Sequence, residues 1–366
     1  MSETYDVDIE KSNLTSTIQK AKSVEELQNI LKKYIGPRQQ KEADSITQLR
    51  KEIERCQKRT MRVVLEDHKK LIGAGGLVTG FNDIDEKLVF QKSDLVVIQG
   101  MSNHGKSSLM LNLNYRFLTH KENVDQQPLC IFMTYESHPL RIEEKFLNIM
   151  TKDMEKKLLM KMDRRANIDL LSSQSRYGNY LYLSEDSVKK SVELYDSLIT
   201  NNRLMIMGKQ PLESLPNLVD MIKQRFPERT IVLFLDYVQI IQHNSTKEGW
   251  QQVKELAYEL ENLAIEKEII VIAGSQVNEK REVREGRDIY FAATTVLDCY
   301  NHSHSSLEEH PDHKNRYKPK VDGKNVITLG CIKSKFGETF TLKEAFLFGG
   351  YVFEKNINNG NLETGI

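Results

Sequence analysis

From about residue 71 onward, the chain alternates short apolar runs with longer stretches whose apolar residues recur every three or four positions. The runs are SDLVVIQG (93–100), LCIFMTY (129–135), LMIMG (204–208), TIVLFLDYVQII (230–241) and EIIVIAGSQ (268–276). Between them lie KSSLMLNLNYRFLTH, HPLRIEEKFLNIM, LESLPNLVDMIKQRF and WQQVKELAYELENLAIEK. A strand that is apolar at nearly every position is covered on both faces. The alternation therefore predicts a mainly parallel sheet with amphipathic helices on both sides, an α/β fold. Three later runs, VLDCYN (296–301), NVITLGCIKSK (325–335) and AFLFGGYVFEK (345–355), predict further strands, the last two as a hairpin on one edge. The polar, turn-rich stretch 302–324 is expected to be a long exposed loop.

The first 70 residues follow another pattern. Residues 23–36 open with a capping box, Ser23 and Glu26, carry apolar residues at helical spacing and end in Gly-Pro, which predicts a helix. Residues 41–70 are helical in pattern but highly charged, with sparse apolar positions. Such a helix needs a partner surface, in cis or on a neighbouring subunit. The expected organisation is a small helical region over 1–40, a linker helix over 41–70 and one large α/β domain over 71–366.

The run GMSNHGKSS (100–108) sits between the first strand and its helix, and Gly100, Gly105, Lys106 and Ser107 fit G-x-x-x-x-G-K-[ST]. Glycines let backbone N–H groups turn inward around phosphate oxygens, and the helix that follows points its positive end at the same place. Gly100, Met101, Ser102, Asn103, His104, Gly105, Lys106, Ser107 and Ser108 are thus the candidate nucleotide-binding residues. Lys106 would reach the β- and γ-phosphates of ATP, and the Ser107 hydroxyl would coordinate Mg²⁺. His104 is expected to be exposed. Two further strands end in carboxylates. Asp236 closes IVLFLD and suits Mg²⁺ binding beside the loop. Glu136 follows IFMTY and suits activation of water for attack on the γ-phosphate. Gln276 closes VIAGSQ, where its amide could hydrogen-bond the γ-phosphate and sense its loss.

Composition narrows the partners. Lys plus Arg and Asp plus Glu are 52 each, so bulk charge does not coat nucleic acid, although a local basic channel stays open. Cys56, Cys130, Cys299 and Cys331 lie far apart, without metal or redox spacing, and read as reduced thiols of a cytosolic protein. His302, His304, His310 and His313 are spaced too loosely to read as a metal site. Trp250 reads as core. With no signal-peptide pattern and no apolar run near 18 residues, a soluble, cytoplasmic protein is expected.

The stretch 75–108, GGLVTGFNDIDEKLVFQKSDLVVIQGMSNHGKSS, resembles the lead-in to the ATPase domain of DnaB-type replicative hexameric helicases. The order TYES, FLDYVQII, ELAYELENLAIEKEIIVIAGSQV and GCIKSKFGE also resembles that family, closest to its phage members, over about 70–355. The resemblance implies a RecA-like fold in a ring, usually of six subunits, with ATP between neighbours and 5′-to-3′ movement on single-stranded DNA. It gives roles within the same subunit to Gly100, Gly105, Lys106, Ser107, Glu136, Asp236 and Gln276. It also implies that Lys333 and Lys335, where the family has Lys-x-Arg, reach a neighbour's γ-phosphate. Lys335 departs from that pattern, because lysine lacks the bidentate fork of arginine. Lys280, Arg281, Arg284 and Arg287 fall where the family grips DNA. Here Glu279, Glu282, Glu285 and Asp288 alternate with them, which equally suits a salt-bridged surface. A primase or a helicase loader is an implied partner. A RecA-like recombinase or repair ATPase, and a non-unwinding loader or regulatory subunit, are the alternatives.

Overall fold

The structure is a computed structural model. It describes residues 46–47, 49–51, 53–54, 76–159, 168–169, 182–183, 185–241, 250–277, 288–304, 317–349 and 351–356. The chain divides into two compact units, Met1–Lys70 and Leu71–Ile366. In the first, the described residues are helical, and Ile46, Leu49 and Ile53 are exposed at spacings of three and four, on one helix face. The helix predicted over 23–36 lies outside the described residues.

In the second unit the helices are α1 (Asn82–Asp85), α2 (Lys106–Thr119), α3 (Pro139–Leu159), α4 (Glu185–Thr200), α5 (Leu215–Arg225), α6 (Trp250–Glu266) and α7 (Asp288–Ala292). The strands are β1 (Leu95–Gly100), β2 (Leu129–Thr134), β3 (Ile168–Asp169), β4 (Tyr182–Leu183), β5 (Leu204–Met207) and β6 (Ile231–Asp236). They continue with β7 (Ile270–Gln276), β8 (Thr295–Asn301), β9 (Asn325–Ser334), β10 (Phe340–Gly349) and β11 (Val352–Lys355). Among the described residues, nine strands form one sheet in the order β11-β10-β9-β8-β1-β7-β6-β2-β5, and β3 and β4 form a separate antiparallel pair. From β8 to β5 every neighbour is parallel, and from β8 to β11 every neighbour is antiparallel.

Apart from β5, which is half-buried at the sheet edge, the continuous apolar runs are buried on both faces, as their composition requires. Along β2, Cys130 and Phe132 enter one apolar cluster while Leu129, Ile131 and Met133 enter the other. Along β6, Val232 and Phe234 join the first and Ile231, Leu233 and Leu235 the second. Helices α2, α3 and α4 bury residues in the first cluster, and α5, α6 and α7 in the second. The mainly parallel, helix-flanked sheet read from the sequence is therefore present. No helix of the described residues is long and apolar enough to cross a membrane.

Four details differ from the sequence reading. The run 345–355 is not one strand: it turns back after Gly349, so β10 and β11 form a second hairpin beyond the expected one of β9 and β10. Tyr351 in that turn has φ 69°, a left-handed conformation that breaks strand continuity. Helix α3 runs on to Leu159, beyond the predicted stretch that ends at Met150. Helix α4 has no counterpart in the sequence reading. The described ends of 302–324 are held in place: Ser303 is buried, its Oγ accepts from the Val326 N–H, and the Lys318 N–H donates to the His302 carbonyl.

Phe234 stacks on Phe132 with ring centroids 5.9 Å apart and touches Phe117 of α2 at 6.3 Å. It links β6 to the helix that follows the glycine loop. Phe234→Ala is expected to cost about 3–5 kcal/mol, the usual range for emptying such a site. Urea denaturation followed by circular dichroism checks this, and an unchanged midpoint would show that the contact carries little of the fold's stability.

Candidate nucleotide site

The site is assembled by register. Gly100 pairs with Gln276 at the ends of β1 and β7. Thr134 pairs with Asp236 at the ends of β2 and β6, and the Tyr135 N–H donates to the Asp236 carbonyl at 2.8 Å. The four adjacent strands β1, β7, β6 and β2 thus deliver Gly100, Gln276, Asp236 and, two residues past β2, Glu136 to one rim. This is the carboxyl end of a parallel sheet, where open α/β folds bind ligands. A cleft of about 360 Å³ opens there, and Lys106, Ser107, Glu136, Asp236 and Gln276 line it.

The glycines are dictated by geometry. A Cβ on Gly100 would stand 2.7 Å from the Cys299 carbonyl oxygen of β8, closer than real contacts allow. Gly105 has φ 92° at the N-cap of α2, a conformation that side chains resist. Between them, Ser102 and Asn103 are exposed at the cleft, and Asn103 has φ 60°. Ser108 lines the cleft and its carbonyl accepts from Asn112 Nδ2 at 2.7 Å. The Lys106 side chain folds back over the loop, and its ammonium donates to the Met101 carbonyl at 2.8 Å. Burial lowers its pKa, opposed by Cys299, Asp236 and Glu136.

His104 corrects an expectation: it is fully buried rather than exposed. Its Nδ1 accepts from the Asn301 N–H at 3.2 Å, and its carbonyl accepts from Cys299 Sγ at 3.0 Å. Its ring meets Tyr300 edge-on, with centroids 5.3 Å apart. The outer side of the loop is therefore fastened to the end of β8, while its inner side faces the cleft.

Asp236 is 4% exposed and stands beside the Ser107 hydroxyl in the cleft. Its Oδ1 is buried with no hydrogen-bond partner among the described residues. Burial pushes its pKa up, while Ser107, Lys106 and Lys145 pull it down. An orphaned carboxylate oxygen beside a hydroxyl is a donor set that suits Mg²⁺, which uses one or two carboxylates and completes its shell with phosphate oxygens and water. The residues present fit that ion.

Other side chains at this rim are not identified by the sequence reading. Lys145 of α3 and Phe348 and Tyr351 of the β10–β11 hairpin also line the cleft. Asn112 of α2 anchors that hairpin: its Nδ2 donates to the Tyr351 carbonyl at 2.8 Å, and its Oδ1 accepts from the Phe353 N–H at 3.2 Å. Gln239 contacts Gln276 directly. Its signal in the sequence is the polar position in the apolar run YVQII.

Lys333 and Lys335 lie elsewhere. Lys333 Nζ donates to the carbonyls of Tyr290 (2.6 Å) and Phe291 (2.7 Å). Lys335 Nζ donates to Glu261 (2.7 Å) and to the Ala292 carbonyl (3.1 Å). Both therefore bind the C-terminal end of α7. Ser334 pairs with Thr295, and the Thr294 N–H donates to the Leu95 carbonyl, so the lysines stand at the N-terminal end of β1. The glycine loop is at the other end, roughly 17 Å away for six residues of strand. Neither lysine lines the cleft of its own chain. Lys280, Arg281, Arg284 and Arg287 lie outside the described residues.

A glycine loop turned against a parallel sheet, with two carboxylates and an amide at adjacent strand ends, defines a RecA-like phosphate-loop domain. Within that class the chain belongs to the family of the DnaB-like helicase C terminal domain, whose profile matches residues 76–290. It is 26% identical over 235 residues to the replicative DNA helicase DnaB of Helicobacter pylori strain J99, spanning 62% of this chain and 42% of that protein. It is 26% identical over 281 residues to the DnaB of Geobacillus stearothermophilus, spanning 74% and 55%. It is 24% identical over 212 residues to a probable plasmid replicative DNA helicase of Chlamydia psittaci, spanning 57% and 40%. The matched part is thus about half, or less, of each relative's length. The fold is shared with a solved ATPase domain, at TM-score 0.59 and 16% identity over 81% of this chain and 97% of that one. It is shared too with a DnaB-like replicative helicase described with its primase interactions, at TM-score 0.60 and 17% identity over 96% and 77%.

Gly100→Ala is expected to weaken nucleotide binding and to destabilise the fold by about 1–3 kcal/mol, the usual cost of overpacking. Fluorescent-nucleotide titration alongside chemical denaturation measures both. Wild-type values for the two would show that the loop tolerates a side chain against Cys299.

Proposed function

We propose that the protein is the ATP-driven motor of a ring-forming replicative DNA helicase, moving 5′ to 3′ on single-stranded DNA in the cytoplasm. The observation that carries this reading is the division of charge across the sheet. Lys106, Glu136, Asp236 and Gln276 converge on one cleft, whereas Lys333 and Lys335 sit at the opposite end of the same sheet. A second copy placed against the cleft would bring that end to the γ-phosphate, so a complete site belongs to two subunits, and a closed ring, of six by family resemblance, repeats it.

Each residue then has a task. The loop amides and Lys106 hold the β- and γ-phosphates of ATP. Ser107 and Asp236 would hold Mg²⁺, which would supply positive charge against the phosphates. Glu136 accepts the proton of the attacking water. Gln276 donates its amide to the γ-phosphate. Lys333 and Lys335 supply positive charge to the neighbouring subunit's transition state. Lys280, Arg281, Arg284 and Arg287 follow β7 directly and contact the DNA backbone, which gives binding without sequence preference. Residues 1–40 form a small helical collar. The helix over 41–70 lays its apolar face, with Ile46, Leu49 and Ile53, on an adjacent subunit. A primase or a helicase loader is the further partner.

Lys106→Ala is expected to lower single-strand-stimulated ATP hydrolysis by about 10²–10³-fold, the scale of losing one charge-stabilising group. Hydrolysis indifferent to single-stranded DNA in the unaltered protein would refute the motor reading. Lys333→Ala and Glu136→Gln are each expected to hydrolyse poorly, yet to regain part of the activity when mixed, because each supplies what the other lacks. Mixtures no more active than their components would argue against a shared site.

A further inference from the structure

The ladder between β6 and β7 ends early. Its register runs from Val232↔Ile270 to Leu235↔Ala273, and β7 continues through Ser275 and Gln276. On its other side β7 stays paired with β1, Gln99 opposite Ser275 and Gly100 opposite Gln276, and the Val277 N–H donates to the Gly100 carbonyl. The N–H and C=O of Gln276 face the side that β6 has vacated. The side chain of Gln239 fills that gap. Its Nε2 donates to the Gln276 carbonyl at 3.0 Å and to Ser275 Oγ at 3.0 Å, and its Oε1 accepts from the Gln276 N–H at 3.3 Å. One side-chain amide thus meets both polar groups of one residue, a task that two peptide groups of a neighbouring strand would otherwise share. Only asparagine and glutamine carry a donor and an acceptor so disposed.

Gln239 belongs to the short 3-10 turn Val238–Ile240, three residues after Asp236. The turn that leaves the carboxylate reading as the Mg²⁺ ligand is also the turn that holds the main chain of the cleft's amide. Side chains stand perpendicular to the ladder that fixes their backbone. The direction in which Gln276 presents its amide is therefore fixed by β1 on one side and by Gln239 on the other.

We propose that Gln239 is a positioning residue for ATP hydrolysis: its amide replaces the missing rung of β6, fixes Gln276 in the cleft and ties it to Asp236. This rests on the reading of Gln276 as the γ-phosphate contact. Gln239 does not line the cleft and touches no substrate itself.

The test uses the full chain with ATP, Mg²⁺ and single-stranded DNA, and compares Gln239→Leu, Gln276→Ala and the double variant with the unaltered protein. Gln239→Leu is expected to lower kcat about 10- to 100-fold, as losing the support of a working group does. KM is expected to stay within about 2-fold, since ground-state binding is untouched. In the Gln276→Ala background the same change is expected to lower kcat by less than about 2-fold, because residues acting as one unit are not additive. Losses that multiply, or a Gln239→Leu protein with wild-type kcat, would overturn the proposal while leaving the role of Gln276 intact. A Gln276→Ala protein with wild-type kcat would overturn both. Should Gln239→Leu not fold, Gln239→Glu has the same shape and keeps the acceptor for the Gln276 N–H but cannot donate to its carbonyl. It is expected to lose kcat with an unchanged melting temperature, and full kcat in that variant would equally end the proposal.

Discussion

A carboxylate at the end of a fully buried strand is the constraint around which this site is arranged. Asp236 has water on almost no side, lies beside Ser107 and leaves Oδ1 without a partner among the described residues. Its pKa is raised above the ordinary 3.8, so the folded chain favours the protonated form more than the unfolded chain does. In linkage terms the group favours the fold at low pH, and that contribution is lost as pH rises through the raised value. Burial thus disfavours the ionised carboxylate, Lys106 and Lys145 offset part of that cost, and a bound divalent cation would offset more. Burying a charge is tolerated where it is paired or coordinates a metal. The cost is local and sits beside the glycine loop, where a nucleotide with its metal would relieve it.

The rest of the rim follows from the same sheet. Parallel strands bring their carboxyl ends together without loops having to converge, so Gly100, Gln276, Asp236 and Glu136 are positioned by register. The antiparallel extension has a second use. Its β10–β11 hairpin, held by Asn112 of α2, closes the cleft with Phe348 and Tyr351. The glycine loop and the hairpin that walls the cleft are fastened to one helix, so a shift of that helix would move both.

Much of this is legible along the chain because the informative signals are local. Asp236, Glu136 and Gln276 each end, or directly follow, an apolar run, and Gly100 to Ser107 is one continuous motif. What is not legible depends on pairings between distant segments. His104 is buried because Asn301 and Tyr300 of β8 reach it from almost 200 positions away, and periodicity does not tell which strand lies beside β1. The clamp by Gln239 spans 37 positions and exists only because β6 stops short of β7. Helix α4 escapes the pattern because Ser187 and Ser191, both fully buried, interrupt its apolar stripe, and the Ser191 hydroxyl is satisfied by the Ser187 carbonyl one turn earlier. Lys145 resembles any other charge on an amphipathic helix until α3 is seen to carry it to the cleft.

The most direct test compares the thermal stability of the unaltered protein and Asp236→Asn, each with and without ATP and Mg²⁺. Without nucleotide the amide is expected to match or exceed the carboxylate in stability, because it removes a buried charge. With ATP and Mg²⁺ the unaltered protein is expected to gain stability and the variant to gain little. An Asp236→Asn protein that is less stable alone, yet gains as much from ATP and Mg²⁺, would contradict the assignment of this carboxylate to the metal and with it the account of the site.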